Sequence, residues 1–186
     1  MLRWKYSRPL LGLLLALLAL APILGANPLS RPGLQQTMAV AFIWGGLALT
    51  YDLLFGFTGL LSFGHALYFA TGVYVSCILI NHEVVVWWLA ALISIAVSAL
   101  LALLVGAASL RTTGITFAMV TLAFGEAGHV IIQRNFFNLT GGENGIALNA
   151  DRIPSLFISV ANTKFIYWAA LAALIFTYAV IWWVSS

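Results

Sequence analysis

Apolar residues run through this chain in long uncharged blocks, separated by short polar or charged clusters. Crossing about 30 Å of hydrocarbon takes about 20 mainly apolar residues at about 1.5 Å per helical residue. Within lipid every backbone group must be bonded internally, so uninterrupted blocks of this length read as helices. The pattern predicts an all-α, polytopic integral membrane protein of about six transmembrane helices. The expected spans are Pro9 to Ser30, Gln36 to Phe55, Thr58 to Ile80, one within Val84 to Leu110, Thr113 to Gln133, and Phe165 to Trp183. A polar stretch carrying Asn138, Thr140, Gly141, Gly142, Asn144, Gly145 and Pro154 separates the last two and reads as the one substantial loop. Aromatic residues sit at several span edges, among them Trp4, Trp87, Trp88, Tyr167, Trp182 and Trp183, where amphipathic rings favour the headgroup boundary.

Composition excludes a soluble surface. Hydrophobic residues make up 63% of the 186 positions and charged residues 7%, against about 45–50% and 25% in soluble domains. The net charge of +3 comes from scattered Lys and Arg that form no stripe able to neutralise phosphates, so nucleic acid is excluded as a partner. Cys77 is the single cysteine, which excludes an internal disulfide and a cysteine-based zinc site. His65, His82 and His129 lack metal-ligand spacing, and no cofactor is expected.

Orientation rests on the N-terminus. Arg3, Lys5 and Arg8 precede the first span and argue for a cytoplasmic N-terminus. The same residues resemble the start of a signal peptide, but Pro22 directly follows the small residues Ala19 and Ala21, so a retained helix is favoured. Alternation then leaves Arg3, Lys5, Arg8 and Arg111 inside and Arg31, Arg134, Arg152 and Lys164 outside, a tie that only the N-terminal cluster breaks.

Some spans carry more than hydrophobicity. Ala90, Ser94, Ser98, Ala102 and Gly106 place a small residue at every fourth position of the fourth span, a pattern that lets helix backbones approach closely. From Asp52 to Gly72 the chain reads D-L-L-F-G-F-T-G-L-L-S-F-G-H-A-L-Y-F-A-T-G, with Gly56, Gly59, Ser62, Gly64 and His65 where an ordinary span has Leu or Val. Two readings stand side by side: a broken or re-entrant helix lining a polar cavity, its freed backbone groups rebonded by hydroxyls, or a cytoplasmic turn between the second and third spans. Glu126 lies within the fifth span between Gly125 and Gly128. Ionisable groups there face the protein interior or water, so Glu126 either lines a path or bonds a neighbouring helix. Asp52 and His65 read as hydrogen-bonding residues near a membrane edge. No catalytic site is expected: Ser62 and His65 lack an oriented base and an oxyanion hole. Gly141 to Gly145 lacks the Lys-Ser/Thr ending of a phosphate loop and reads as a turn.

Two of these stretches carry a resemblance. Gly56 to Tyr74 (G-F-T-G-L-L-S-F-G-H-A-L-Y-F-A-T-G-V-Y) resembles the signature of ABC importer permeases of the branched-chain amino acid type, in particular LivM-like subunits. Arg111 to Glu126 (R-T-T-G-I-T-F-A-M-V-T-L-A-F-G-E) and Leu139 to Ile146 (L-T-G-G-E-N-G-I) are similar to two further motifs of that family. Thr116 stands where the family often has Tyr, and Val73 replaces a small residue. The resemblance implies a bacterial inner-membrane permease with a LivH-like partner permease, cytoplasmic ATPase subunits and a periplasmic substrate-binding protein. It also implies a cytoplasmic N-terminus, a periplasmic long loop, and a path near Gly56 to His65 and Glu126. ATP hydrolysis is then expected on partner chains, and residues 1–186 are expected to be a single transmembrane domain, the N-terminal part of a longer permease. The leading expectation is import of branched-chain or related amino acids. A urea or short-chain amide permease of the same family, an ion-coupled carrier using Asp52 and Glu126, and a purely structural subunit are the rivals.

Overall fold

The computed structural model describes residues 32–135, 138–154, 157–158 and 162–185. They form the α-helices α1 (Pro32–Thr58), α2 (His65–Asn81), α3 (Trp87–Ser109), α4 (Ile115–Arg134) and α5 (Thr163–Ser185). Short 3-10 turns at Gly142–Asn144 and Ala150–Arg152 interrupt the connection from α4 to α5, and the described residues include no strand. Helices α1, α3, α4 and α5 are each long and apolar enough to cross a membrane. The five helices correspond to the second through sixth expected spans. The first, Pro9 to Ser30, and the basic cluster before it lie outside the described residues.

The third expected span is corrected. Helix begins only at His65, so α2 has 17 residues, about 25 Å at 1.5 Å per residue and short of a full hydrocarbon core. Thr58, placed at the start of that span by hydropathy, instead closes α1, and residues 59–64 are not helical.

The chain divides into two compact units. One contains residues 1–50 and 155–186. Its described core sets Ala39 and Phe42 of α1 against Tyr167, Ala170 and Leu171 of α5, with Met38, Ile166 and Leu174 packed around them. The three- and four-residue spacings put each set on one helix face. Phe42 and Tyr167 meet edge to face at 5.3 Å between ring centres, a favoured aromatic geometry.

The second unit, residues 51–154, holds the end of α1 and helices α2, α3 and α4. The broadest helix contact is between α2 and α3. There the Ser76 and Ser94 hydroxyls lie 2.6 Å apart, one donating to the other. Gly72 leaves room for Ser98, since a Cβ on it would sit 3.2 Å from the Ser98 Oγ. Ala90 and Ser94 are buried, whereas Ser98, Ala102 and Gly106 are half-buried. At about 100° per residue, steps of four overshoot a full turn by about 40°, so the five small positions wind through about 160°. Val105 and Ser109 fall back within about 100° of Ala90 and are buried in place of the last small residues. The opposite face is fully apolar and open, with Ile95 67% and Leu103 71% exposed, a surface that only lipid or another protein can cover.

Candidate functional site

Glycine and hydroxyl chemistry build the break between α1 and α2. Gly59 takes φ +66°, a left-handed conformation that ends helices and that only glycine adopts without cost. Its N–H still donates to the Phe55 carbonyl at 2.9 Å, closing the last turn of α1. Beyond it the backbone amides have no helical acceptors, and side-chain oxygens replace them. The Leu60 N–H donates to Thr58 Oγ1 at 3.2 Å, the Phe63 N–H to Thr121 Oγ1 at 3.1 Å, and the Gly64 N–H to Ser62 Oγ at 3.4 Å. Ser62 and Thr121 are buried, at 4% and 1% exposure. Satisfied in this way, a non-helical segment can persist in surroundings that offer no water.

Helix α4 supplies the surface on which the break rests. Thr121, Gly125 and Gly128 stand at i, i+4 and i+7 and share one face. A Cβ on Gly64 would lie 3.3 Å from the Thr121 carbonyl oxygen, and one on Gly125 would lie 3.6 Å from the Phe63 carbonyl oxygen. A Cβ on Gly128 would collide with the Leu67 side chain. Small residues on both partners therefore allow backbone to approach backbone. Thr121 Oγ1 also donates to the Ala118 carbonyl at 3.0 Å, which fixes its lone pairs towards Phe63.

The other candidate residues are distributed around this contact. His65, the first residue of α2, packs edgewise against Tyr51 at 5.6 Å and Tyr68 at 6.3 Å. Its buried Nδ1 has no hydrogen-bond partner among the described residues. No hydrogen bond links it to Ser62, whose hydroxyl oxygen accepts from Gly64. Gly56 is helical, inside α1 with open space about it, so the chain breaks three residues later than at the first glycine of the motif. Asp52 is exposed. Glu126 and His129 are exposed on α4 and border a groove of about 240 Å³ with Phe63, Ala66, Leu67 and Ala70. A second, mostly apolar recess of about 430 Å³ lies among α2, α3 and α4, beside Thr71, Tyr74 and Phe124. Among the described residues no cluster of three or more His, Cys, Asp or Glu can hold a metal.

At the opposite end of α2 a polar clamp holds the long loop. Asn81 Nδ2 donates to the Ala147 carbonyl at 2.8 Å, and Asn81 Oδ1 accepts from the Asn149 N–H at 2.9 Å. Arg152 donates to the Asn81 carbonyl and pairs with Glu83 at 3.0 Å. The Thr140 hydroxyl donates to the Ile132 carbonyl at 2.7 Å, and the Thr140 N–H donates to Asn135 Oδ1 at 2.9 Å, which together finish α4. Gly141, Gly142 and Gly145 all have positive φ, and a Cβ on Gly141 would collide with the Gly145 carbonyl. The T-G-G-E-N-G run is thus a closed turn that glycine alone can make. Sequence reading did not single out Thr121, Asn81 or Arg152. The usable signals were Thr121 standing four residues before Gly125, and Asn81 as a polar residue ending an apolar helix.

These elements define a helical, polytopic membrane protein in which the non-helical segment between α1 and α2 is braced by hydroxyls against a glycine-faced neighbour. The chain belongs to the family of permease components of branched-chain amino acid transport systems, whose model matches residues 33–186. It is similar to the high-affinity branched-chain amino acid transport system permease protein LivM of Salmonella typhimurium strain LT2, with 35% identity over 111 residues. LivM of Escherichia coli K12 is 32% identical over 111 residues. Each alignment covers 60% of this chain and 25% of the relative, so the chain spans about a quarter of the relatives' length. No solved structure matches it.

Proposed function

We propose that the chain acts in the membrane half of an ABC importer that moves branched-chain or related amino acids inward across the bacterial inner membrane. The observation that carries this reading is that two separate family-like stretches, 56–74 and 111–126, meet directly: Phe63 of the first donates to Thr121 of the second. The contact sits beside a groove bordered by Glu126. A broken helix braced on a neighbour is a structure that membrane transporters use beside a polar path. In this reading Gly59 to His65 and Glu126 flank the path, and Gly56 lies in the last turn of the helix that leads to it. The N-terminus is cytoplasmic, the loop clamped by Asn81 is periplasmic, and the chain crosses the membrane about six times. A LivH-like permease, two cytoplasmic ATPase subunits and a periplasmic binding protein complete the machine, with ATP hydrolysis on the ATPases.

Uptake of labelled leucine into proteoliposomes holding the complete importer, with binding protein outside and ATP inside, tests the reading. Accumulation is expected to require ATP and the ATPase subunits. Transport of urea but not leucine would replace the substrate. Uptake that survives loss of the ATPases and collapses with an uncoupler would replace the mechanism with an ion-coupled carrier.

A further inference from the structure

The groove between α2 and α4 has a composition that the break alone does not explain. Glu126 stands eleven residues beyond Ile115 in a 20-residue helix, about 17 Å along an axis of about 30 Å, and so lies near mid-span. His129 follows three residues later, on the same face. Both are exposed, and neither has a hydrogen bond or ion pair among the described residues. The hydroxyls of Thr58, Ser62 and Thr121, by contrast, are all engaged. An ionisable side chain at this depth is expensive against lipid, by about 2.5–3.5 kcal/mol on insertion scales. Its face must therefore meet water, a ligand or another chain.

The geometry points to a transient site for an apolar α-amino acid in this groove, with the Glu126 carboxylate receiving the ammonium group and the His129 imidazole donating to the carboxylate. The inference rests on the transport reading above and narrows it. Two polar groups one turn apart offer a negative charge and an N–H donor, the pair of complements that a zwitterion requires. The remaining walls, Phe63, Leu67, Leu122 and Ile132 among them, are apolar and suit an aliphatic side chain. Ala66, Ala70 and Gly125 keep the groove open where larger residues would fill it. Its volume of about 240 Å³ is below the roughly 300–1,000 Å³ of drug-sized pockets and fits a single small solute. Urea, neutral and without an apolar part, would gain from neither the charge nor the walls.

Cysteine accessibility in the complete importer tests this. A66C and L122C, on the α2 and α4 walls of the groove and outside the Glu126–His129 pair, are made singly in the permease with Cys77 replaced by Ala, and labelled with a cationic, membrane-impermeant thiosulfonate during turnover. The proposal expects both positions to label and leucine-loaded binding protein with ATP to slow labelling at least fivefold. E126D should keep at least a third of wild-type leucine uptake, while E126Q should lose at least nine-tenths of it with the subunits still assembled. Absence of labelling at both positions would show a face covered by protein or lipid and overturn the site. Labelling that leucine does not slow, in an importer that transports leucine normally, would overturn the site but leave the transport reading standing. A wild-type complex that takes up no amino acid in response to ATP would overturn both.

Discussion

Thr121→Val is the most discriminating perturbation of the break, because it keeps the shape of the side chain and deletes one acceptor. Thr121 is 1% exposed, and its Oγ1 is the acceptor for the Phe63 N–H at 3.1 Å. The Ala118 carbonyl that Thr121 also bonds lies inside α4 and keeps its helical partner, so its loss of the hydroxyl matters little. The Phe63 amide has no such reserve, because residues 59–64 form no helix. An unsatisfied buried donor costs about 1–3 kcal/mol, and hydrogen bonds between helices in membranes measure about 0.6 and at most about 1.7 kcal/mol. The two ranges overlap at about 1–1.7 kcal/mol, a change of roughly 5- to 20-fold in a local opening equilibrium. Amide hydrogen exchange of the Phe63 region in nanodiscs reads that equilibrium directly. Exchange should speed up by roughly tenfold in T121V, while T121S, which retains the hydroxyl, should stay close to wild type. Equal exchange in wild type and T121V would refute the idea that this hydroxyl holds the break. Equal acceleration in T121S and T121V would assign the effect to lost packing instead.

Four further outcomes follow from the geometry. Asn81→Ala removes both side-chain bonds to the long loop, at about 1–2 kcal/mol, and should accelerate tryptic cleavage after Arg152 roughly tenfold. Glu83→Gln should change that rate much less, because Glu83 is 71% exposed and exposed ion pairs contribute about 0–1 kcal/mol. Gly141→Ala puts a Cβ on a residue with φ +72° and into the Gly145 carbonyl, so a loss of at least about 2 kcal/mol is expected from conformation and collision together. Thermal unfolding in detergent would register it, and an unchanged midpoint would contradict the closed turn. Gly106→Ala meets nothing within 4 Å and should stabilise α3 by about 0.5–1 kcal/mol; destabilisation in the same assay would mean that Gly106 contacts a further chain.

Where hydropathy decides, the sequence was readable: α1, α3, α4 and α5 fall within a few residues of the expected spans. What was not readable depended on geometry that the one-dimensional pattern leaves open. The small residues of α3 look like a single ridge in sequence, yet helical pitch carries Ala102 and Gly106 away from the buried face and brings Val105 and Ser109 into it. The start of α2 was misplaced for a related reason. Leu60, Leu61 and Phe63 are as apolar as any helical residues, and a hydropathy window cannot register that Gly59 has turned left-handed.

The break also shows why candidate residues near it could be nominated without being given roles. Hydroxyls in a glycine-rich span were expected to rebond freed backbone, and Thr58 and Ser62 do so within two residues of themselves. The third acceptor comes from 58 residues away. No local rule pairs Phe63 with Thr121, because the pairing depends on Gly64 letting the backbone of the break come close to that of α4. A Cβ at Gly64 would sit 3.3 Å from the Thr121 carbonyl oxygen and press the break off α4, and the Phe63 amide would then lose its acceptor even with Thr121 intact. One at Gly125 would make only ordinary contact with Phe63, and one at Gly128 would displace only the end of the Leu67 side chain. Gly64 and the threonine therefore act together, and G64A should reproduce part of the exchange signature of T121V. A normal Phe63 amide in G64A would mean that the 3.3 Å approach to the Thr121 carbonyl relaxes without cost, and that the threonine alone sets the position of the break.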